Sequence, residues 1–264
     1  SIIFAKISKY MGLFKRWAFN LLFFSAAAVY LAGFAVDIME IDAAQYASLS
    51  REMAETGDYL QIHHRGKDYL DKPPLLFWVT SFWIELFGPH NWTYKLSSFL
   101  FSIVGVISTY KLGHLLYNKR IGFVAAIMLA TSQAYFLFNH DVRTDTILTG
   151  AVIFGVWQIM AFVFYKDRWH LVGGFAGIAL GMMAKGPIAL MIPALAFGSY
   201  FIGRKRYKEF FRKDWLIGLA ILGMVLVGPD KLPGLAVQAA KLIKKGRTLA
   251  TNATNELKEN LGPG

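Results

Sequence analysis

Residues 169–203, WHLVGGFAGIALGMMAKGPIALMIPALAFGSYFIG, are apolar almost throughout and carry one full charge, Lys185, near the middle. As one helix the stretch would run about 52 Å, at about 1.5 Å per residue, against a hydrocarbon core of roughly 30 Å. It would also place Lys185 at the bilayer centre and remove a backbone donor at Pro187. The expected solution is two short helices that turn at Lys185-Gly186-Pro187.

The rest of the chain agrees with lipid as its solvent. Of 264 residues, 55% are hydrophobic, 16% aromatic and only 17% charged, and the mean hydropathy is +0.41. Soluble chains carry about 45–50% apolar and about 25% charged residues. Further apolar runs lie near 17–36, 94–117, 121–138, 145–165 and 215–229, so the expected fold is an all-α integral membrane protein of about seven transmembrane helices. The absence of cysteine excludes a disulfide framework and a thiolate site. No cleavable signal peptide is expected, because the first run is long and no small-residue cleavage site follows it.

A net charge of +11 raises the question of nucleic acid, but the basic residues sit between the apolar runs. With the N-terminus inside, Lys6, Lys9, Lys15, Arg16, Lys119, Arg120, Lys166, Arg168 and the cluster from Arg204 to Lys213 are cytoplasmic. The outer segment 37–93 is instead richer in acid than in base. Within it, IDAAQYASLSREMAETG (41–57) and KPPLLFWVTSFWIELFG (72–88) are expected as interfacial helices, with Trp78, Trp83 and Trp92 at headgroup depth.

This topology brings four ionisable residues from distant parts of the chain to one outer surface: Asp42, Lys72, Asp145 and Lys185. Two carboxylates and two or three cations supply a base for a hydroxyl acceptor and a clamp for a phosphate. Plainer readings stand beside this. Asp42 and Asp145 each fit a helix N-cap, and Lys72 and Lys185 fit interface anchors that snorkel, as Lys111 does. His63-His64 reads as a solvated loop pair, and no metal is expected. Arg204 to Lys213 is a topology signal, and Asn91-Trp92-Thr93 fits a glycosylation acceptor pattern.

MEIDAAQYASLSREMAETGDY (39–59), GKDYLDKPPLLFWVTSFWIELFG (66–88), NHDVRTDTILTG (139–150) and GIALGMMAKGPIALMIP (177–193), in this order, resemble polyprenyl-phosphate-dependent membrane glycosyltransferases of the C superfamily. The nearest likeness is to bacterial relatives of protein mannosyltransferases and of the lipid A aminoarabinose transferase. The resemblance implies a polyprenyl-phosphate sugar as donor and a lipid, glycan or protein hydroxyl as acceptor. It also implies a bacterial inner-membrane location, an extracytoplasmic active site and no nucleic acid partner. By it, Asp42 and Asp145 are the catalytic carboxylates, and Lys72, Lys185 and Arg143 bind the donor phosphate, with Tyr46, Tyr69 and Asp71 as neighbours in the site. Where the family often has a second acid after the first, this chain has Ala43.

Two features depart from the family, whose members are longer. From Gly223 onward the chain, with its string LVGPDKLP, resembles twin-arginine translocase subunits of the TatA/TatB type. The expected division is a glycosyltransferase-like domain over 1–229 and a basic amphipathic tail over 230–264, in a fused or truncated chain. Leu235, Val237, Ala240, Leu242, Ile243 and Leu249 alternate with cations there, which suits a helix on a membrane surface. Seven spans put this basic tail outside, against the positive-inside expectation. The alternative readings are a translocase component with translocase partners through the tail, and an inactive membrane scaffold.

Overall fold

The computed structural model describes residues 21–227 apart from 22, 23, 26, 61, 65, 66 and 70. Two compact units divide the chain, Ser1–Gly218 and Leu219–Gly264. The first is an all-α membrane protein with one short hairpin among its described residues. Of the second, the described residues form the end of a helix, Trp215–Val227. Residues 17–20, 22, 23 and 26 of the expected first span, and the whole 230–264 tail, lie outside the described residues. Residues 27–32 are helical and close in a 3-10 turn, Gly33–Ala35.

The segment 37–93 carries both expected helices. In α1 (Ile41–Thr56) the buried residues Ala43, Tyr46, Ala47, Ser50 and Met53 recur at helical spacing, and Gly57 at φ 70° ends the helix by donating to the Met53 carbonyl. Pro74 opens α2 (Leu75–Phe87) and Gly88 at φ 84° closes it. Between them, β1 (His63–His64) pairs antiparallel with β2 (Lys67–Asp68). This corrects the loop reading of His63-His64: the strand puts His63 between Asp58, at 3.5 Å, and Asp68, at 3.2 Å. Ser81 Oγ on α2 donates to the Ser50 carbonyl on α1 at 2.7 Å. The core under both helices gathers Tyr46, Leu49, Leu76 and Phe77 with Val142 from the segment before Thr144 and with Ile147 and Ala184 from later helices.

Helix α3 (Asn91–Leu116) and helix α6 (Thr144–Tyr165) are long and apolar enough to cross a membrane. The run expected as one span at 121–138 is instead α4 (Lys119–Ala130) and α5 (Gln133–Asn139), bent by 55°. The hydroxyls of Thr131 and Ser132 bond back to the carbonyls of Ile127 and Leu129, and Ser132 turns extended, so the ladder breaks there. If that bent pair is one span, three candidate spans are found among the described residues.

Helix α7 (Arg168–Lys185) and helix α8 (Ile188–Gly203) meet at the expected break: Gly186 takes φ 80° and Pro187 stands at the N-terminus of α8. At the opposite end of these helices, Arg212 binds Glu209 at 3.2 Å and Asp214 at 2.7 Å, Lys166 reaches Glu209 at 3.4 Å, and Arg168 lies 3.8 Å from Asp214. Burial opposes the Glu209 charge, but Arg212 and Lys166 outweigh it and hold that carboxyl below its usual range. The Arg212 hydrogen bond, foremost, does the same for Asp214.

Helices α3 and α6 touch through glycine. A Cβ on Gly150 would fall 2.1 Å from the Phe101 carbonyl oxygen, a backbone atom that moves only with its helix. Gly150→Val is expected to destabilise the protein by about 1–3 kcal/mol, the usual penalty of overpacking. Thermal unfolding in detergent checks this beside Gly198→Ala, where the added methyl meets open space and the midpoint should stay in place.

Candidate active site

Of the expected site residues, Tyr69, Asp71, Lys72 and Lys185 line one cleft and Asp145 is ion-paired with Lys185, whereas Asp42, Tyr46 and Arg143 are not among the residues that line it. Asp42 lies in the first turn of α1 and Asp145 in the first turn of α6. Neither is the N-cap expected as the plainer reading. Those positions belong to Glu40 and Arg143, which make no side-chain cap bond. Each aspartate instead sets its charge against the positive end of a helix dipole. Lys185 is the last residue of α7, brought there by the Gly186-Pro187 break, and its ammonium is ion-paired with Asp145.

Beside this pair opens a cleft of about 590 Å³. Tyr69, Asp71 and Lys72 line it from the segment before α2, Lys185 and Gly186 line it from the helix break, and Asp68 lines it from the hairpin. Two lysines, separated by more than a hundred residues in sequence, thus border one polar cavity on rigid supports. Such a cavity is chemically fit for a phosphate held by point charges rather than by a guanidinium fork.

Tyr69, which lines the cleft, and Tyr46 each set their ring edge-on to Phe77 at 5.9 Å. Burial pushes the Tyr46 hydroxyl up to about 12, and Tyr69 with the carboxylates of Asp42, Asp145 and Asp71 pushes in the same direction. Burial also raises Tyr69, followed by Asp71 and Asp42.

Arg143 is placed differently from its neighbours. Its guanidinium is ion-paired with Glu40 and lies 5.5 Å from the Phe138 ring centre, while its Nε is buried without a hydrogen-bond partner. It joins the start of α6 to the residue before α1, and its charge is engaged by a carboxylate of the chain itself.

Sequence reasoning passed over Glu40, Lys95 and Asp141. Lys95 is wholly buried, and Asp141 nearly so. Burial raises the Asp141 carboxyl, against the Val142 N–H and the Lys95 charge. The available signal was a lysine one residue inside the apolar run 94–117, and an aspartate within NHDVRTD that is not the one nearest the helix.

The fold and this cleft are those of a polytopic membrane protein with charged residues at the ends of its helices. Residues 71–231 match the family described as dolichyl-phosphate-mannose-protein mannosyltransferase, and the chain belongs to that family. It is 29% identical over 198 residues to the undecaprenyl phosphate-alpha-4-amino-4-deoxy-L-arabinose arabinosyl transferase of Edwardsiella ictaluri, covering 70% of this chain and 34% of that protein. To the protein of the same name from Yersinia pestis it is 30% identical over 178 residues, 64% of this chain and 31% of the relative. The chain therefore spans about a third of the length of these curated relatives. The crystal structure of ArnT from Cupriavidus metallidurans in the apo state shares the fold with a TM-score of 0.74 at 21% identity, over 84% of this chain and 42% of that one. The same protein bound to undecaprenyl phosphate gives 0.73 at 20%, over 85% and 42%. Residues 214–256 match the mttA/Hcf106 family, as the tail motif implied.

Because the folded value of Tyr46 lies above the ordinary 10.0, its contribution to stability is complete below pH 10 and is lost as pH rises toward about 12. A difference titration of tyrosinate absorbance between the protein and Tyr46→Phe should show one tyrosine ionising near pH 12. A difference centred at pH 10 would remove Tyr46 from the carboxylate cluster.

Proposed function

We propose that this chain carries the catalytic part of a glycosyltransferase that moves a sugar from a polyprenyl phosphate to a hydroxyl of a lipid, glycan or protein acceptor. Its place is the bacterial inner membrane, with the N-terminus in the cytoplasm and the site on the extracytoplasmic face. The observation that carries the reading is the cleft with Lys72 on one wall and Lys185 on the other, Lys185 being held by Asp145. Membership of the mannosyltransferase family and likeness to enzymes named for an undecaprenyl-phosphate aminoarabinose donor support it.

In the proposed step the acceptor oxygen attacks the anomeric carbon, the bond from that carbon to the phosphate oxygen breaks, and the electron pair leaves with the polyprenyl phosphate. Lys72 and Lys185 stabilise the charge that grows on the departing phosphate. Asp42, exposed in the first turn of α1, takes the acceptor proton as general base. Asp145 orients Lys185, Tyr69 and Asp71 shape the wall, and Tyr46 stays protonated as a donor. Arg143 enters as a strut, its phosphate role being conditional on release from Glu40. No metal is assigned to the step. The glycosyltransferase domain is taken as 1–229 and the amphipathic tail as 230–264. The match of 214–256 to the mttA/Hcf106 family favours a second reading, a translocase component acting through that tail.

The test is transfer of labelled sugar from polyprenyl-phosphate donors in proteoliposomes. Asp42→Asn should lower turnover by about 100-fold or more, and Lys72→Ala should raise the KM for the donor. Full activity in Asp42→Asn would overturn the assignment of the base. Absence of transfer from folded protein with every donor would favour the translocase reading.

A further inference from the structure

Lys95 has no exposed surface, although it stands only one turn into an apolar helix. Its ammonium donates to the Gly33 carbonyl at 3.1 Å and also to the Val36 carbonyl. These carbonyls close the 3-10 turn in which the helical residues 27–32 end, where the Val36 N–H returns to Gly33 at 3.3 Å. A cation at that point satisfies carbonyls left open by the helix end and meets the negative end of its dipole. One turn earlier on the same face of α3, Asn91 Nδ2 donates to the Val36 carbonyl at 2.8 Å and to Asp37 Oδ1 at 3.1 Å. The carboxylates of Asp141 and Asp37 lie near enough to interact with the Lys95 charge.

From Val36 the chain runs without regular structure to Ile41, and Asp42 follows at once. At the far end of this short segment Glu40 is ion-paired with Arg143, two residues before Asp145. Both ends are therefore held by buried or half-buried cations, one from α3 and one from the start of α6. A segment with no internal hydrogen-bond ladder retains backbone freedom unless it is held from outside. Burying an ammonium is unfavourable, and an apolar side chain of similar size would often be the more stable choice. The contacts that Lys95 makes are thus better explained by what they position than by stability.

We propose that Lys95 is a positioning residue: by gripping the Gly33 and Val36 carbonyls it fixes the segment that leads into α1 and so places Asp42, in the first turn of that helix. It touches no substrate. The proposal rests on the glycosyltransferase reading for its catalytic consequence, while the anchoring itself does not.

The chain has no cysteine, so spin labels at Met39→Cys, in the held segment, and Leu137→Cys, on α5, report the placement of that segment by pulsed electron resonance. Both positions are well exposed. Lys95→Met should broaden the distance distribution and lower kcat by about 10- to 100-fold, with the KM for the polyprenyl-phosphate donor within about twofold because Lys72 and Lys185 are untouched. Lys95→Gln keeps a donor without the charge and should fall between; it serves if the methionine variant does not fold. Lys111→Met, near the other end of α3, should change neither readout. An unchanged distribution in folded Lys95→Met overturns the proposal whether or not kcat falls, and so does a rise in donor KM at constant kcat. A broadened distribution in a chain that transfers no sugar even with Lys95 intact supports the anchoring and overturns the enzyme reading instead.

Discussion

A lysine in the middle of a long apolar run cannot stay in hydrocarbon without a partner, and the rest of the site follows from how the chain meets that constraint. Helix α7 ends on Lys185, Gly186 takes a backbone angle that few other residues adopt, and Pro187 starts α8 with its fixed φ. The lysine thereby stands at a helix end, where Asp145 from the start of α6 can meet it. Without the break, the lysine would face lipid and the cleft would lack one wall.

The other charges are distributed by the same economy of desolvation. Asp42 and Asp145 both lie at helix starts, where the dipole favours a carboxylate. Arg143 is held by Glu40 and Lys95 by backbone carbonyls, so these two cations brace the scaffold. Lys72 and Lys185 border the cleft. Two cations thus hold the frame and two border the cleft, and distance along the chain does not distinguish them.

Close helix contact gives this arrangement its rigidity. Gly150 admits the Phe101 carbonyl, bringing α3 and α6 within reach of each other. Those two helices carry Lys95 and Arg143 with Asp145. Buried polar pairs tie neighbouring helices to this frame: the Thr80 and Ser97 hydroxyls meet at 2.9 Å between α2 and α3, and the Ser102 hydroxyl on α3 donates to Asn139 Oδ1 on α5 at 2.8 Å. In an interior this dry, each such pair removes the penalty of an unsatisfied group.

Hydropathy and local chemistry were enough to read the membrane class, the two outer helices with their proline start and glycine ends, and the turn at Lys185-Gly186-Pro187. These follow from periodicity, chain length against bilayer thickness and the backbone limits of Gly and Pro, all of which act within a few residues. The candidate residues Asp42, Lys72, Asp145 and Lys185 were legible for the same reason, since an ionisable group beside lipid is conspicuous in any sequence. The tertiary structure decided their partners. That Arg143 meets Glu40, that Lys95 lies under the first helix end, that His63 sits on a strand between two aspartates, and that Thr131 and Ser132 bend a helix by 55° all depend on groups distant in sequence or on competing local bonds. An ion pair is a relation between two positions, and a sequence displays charges one at a time; only packing establishes that Arg143 meets Glu40, that Lys185 meets Asp145 and that Lys95 meets backbone carbonyls.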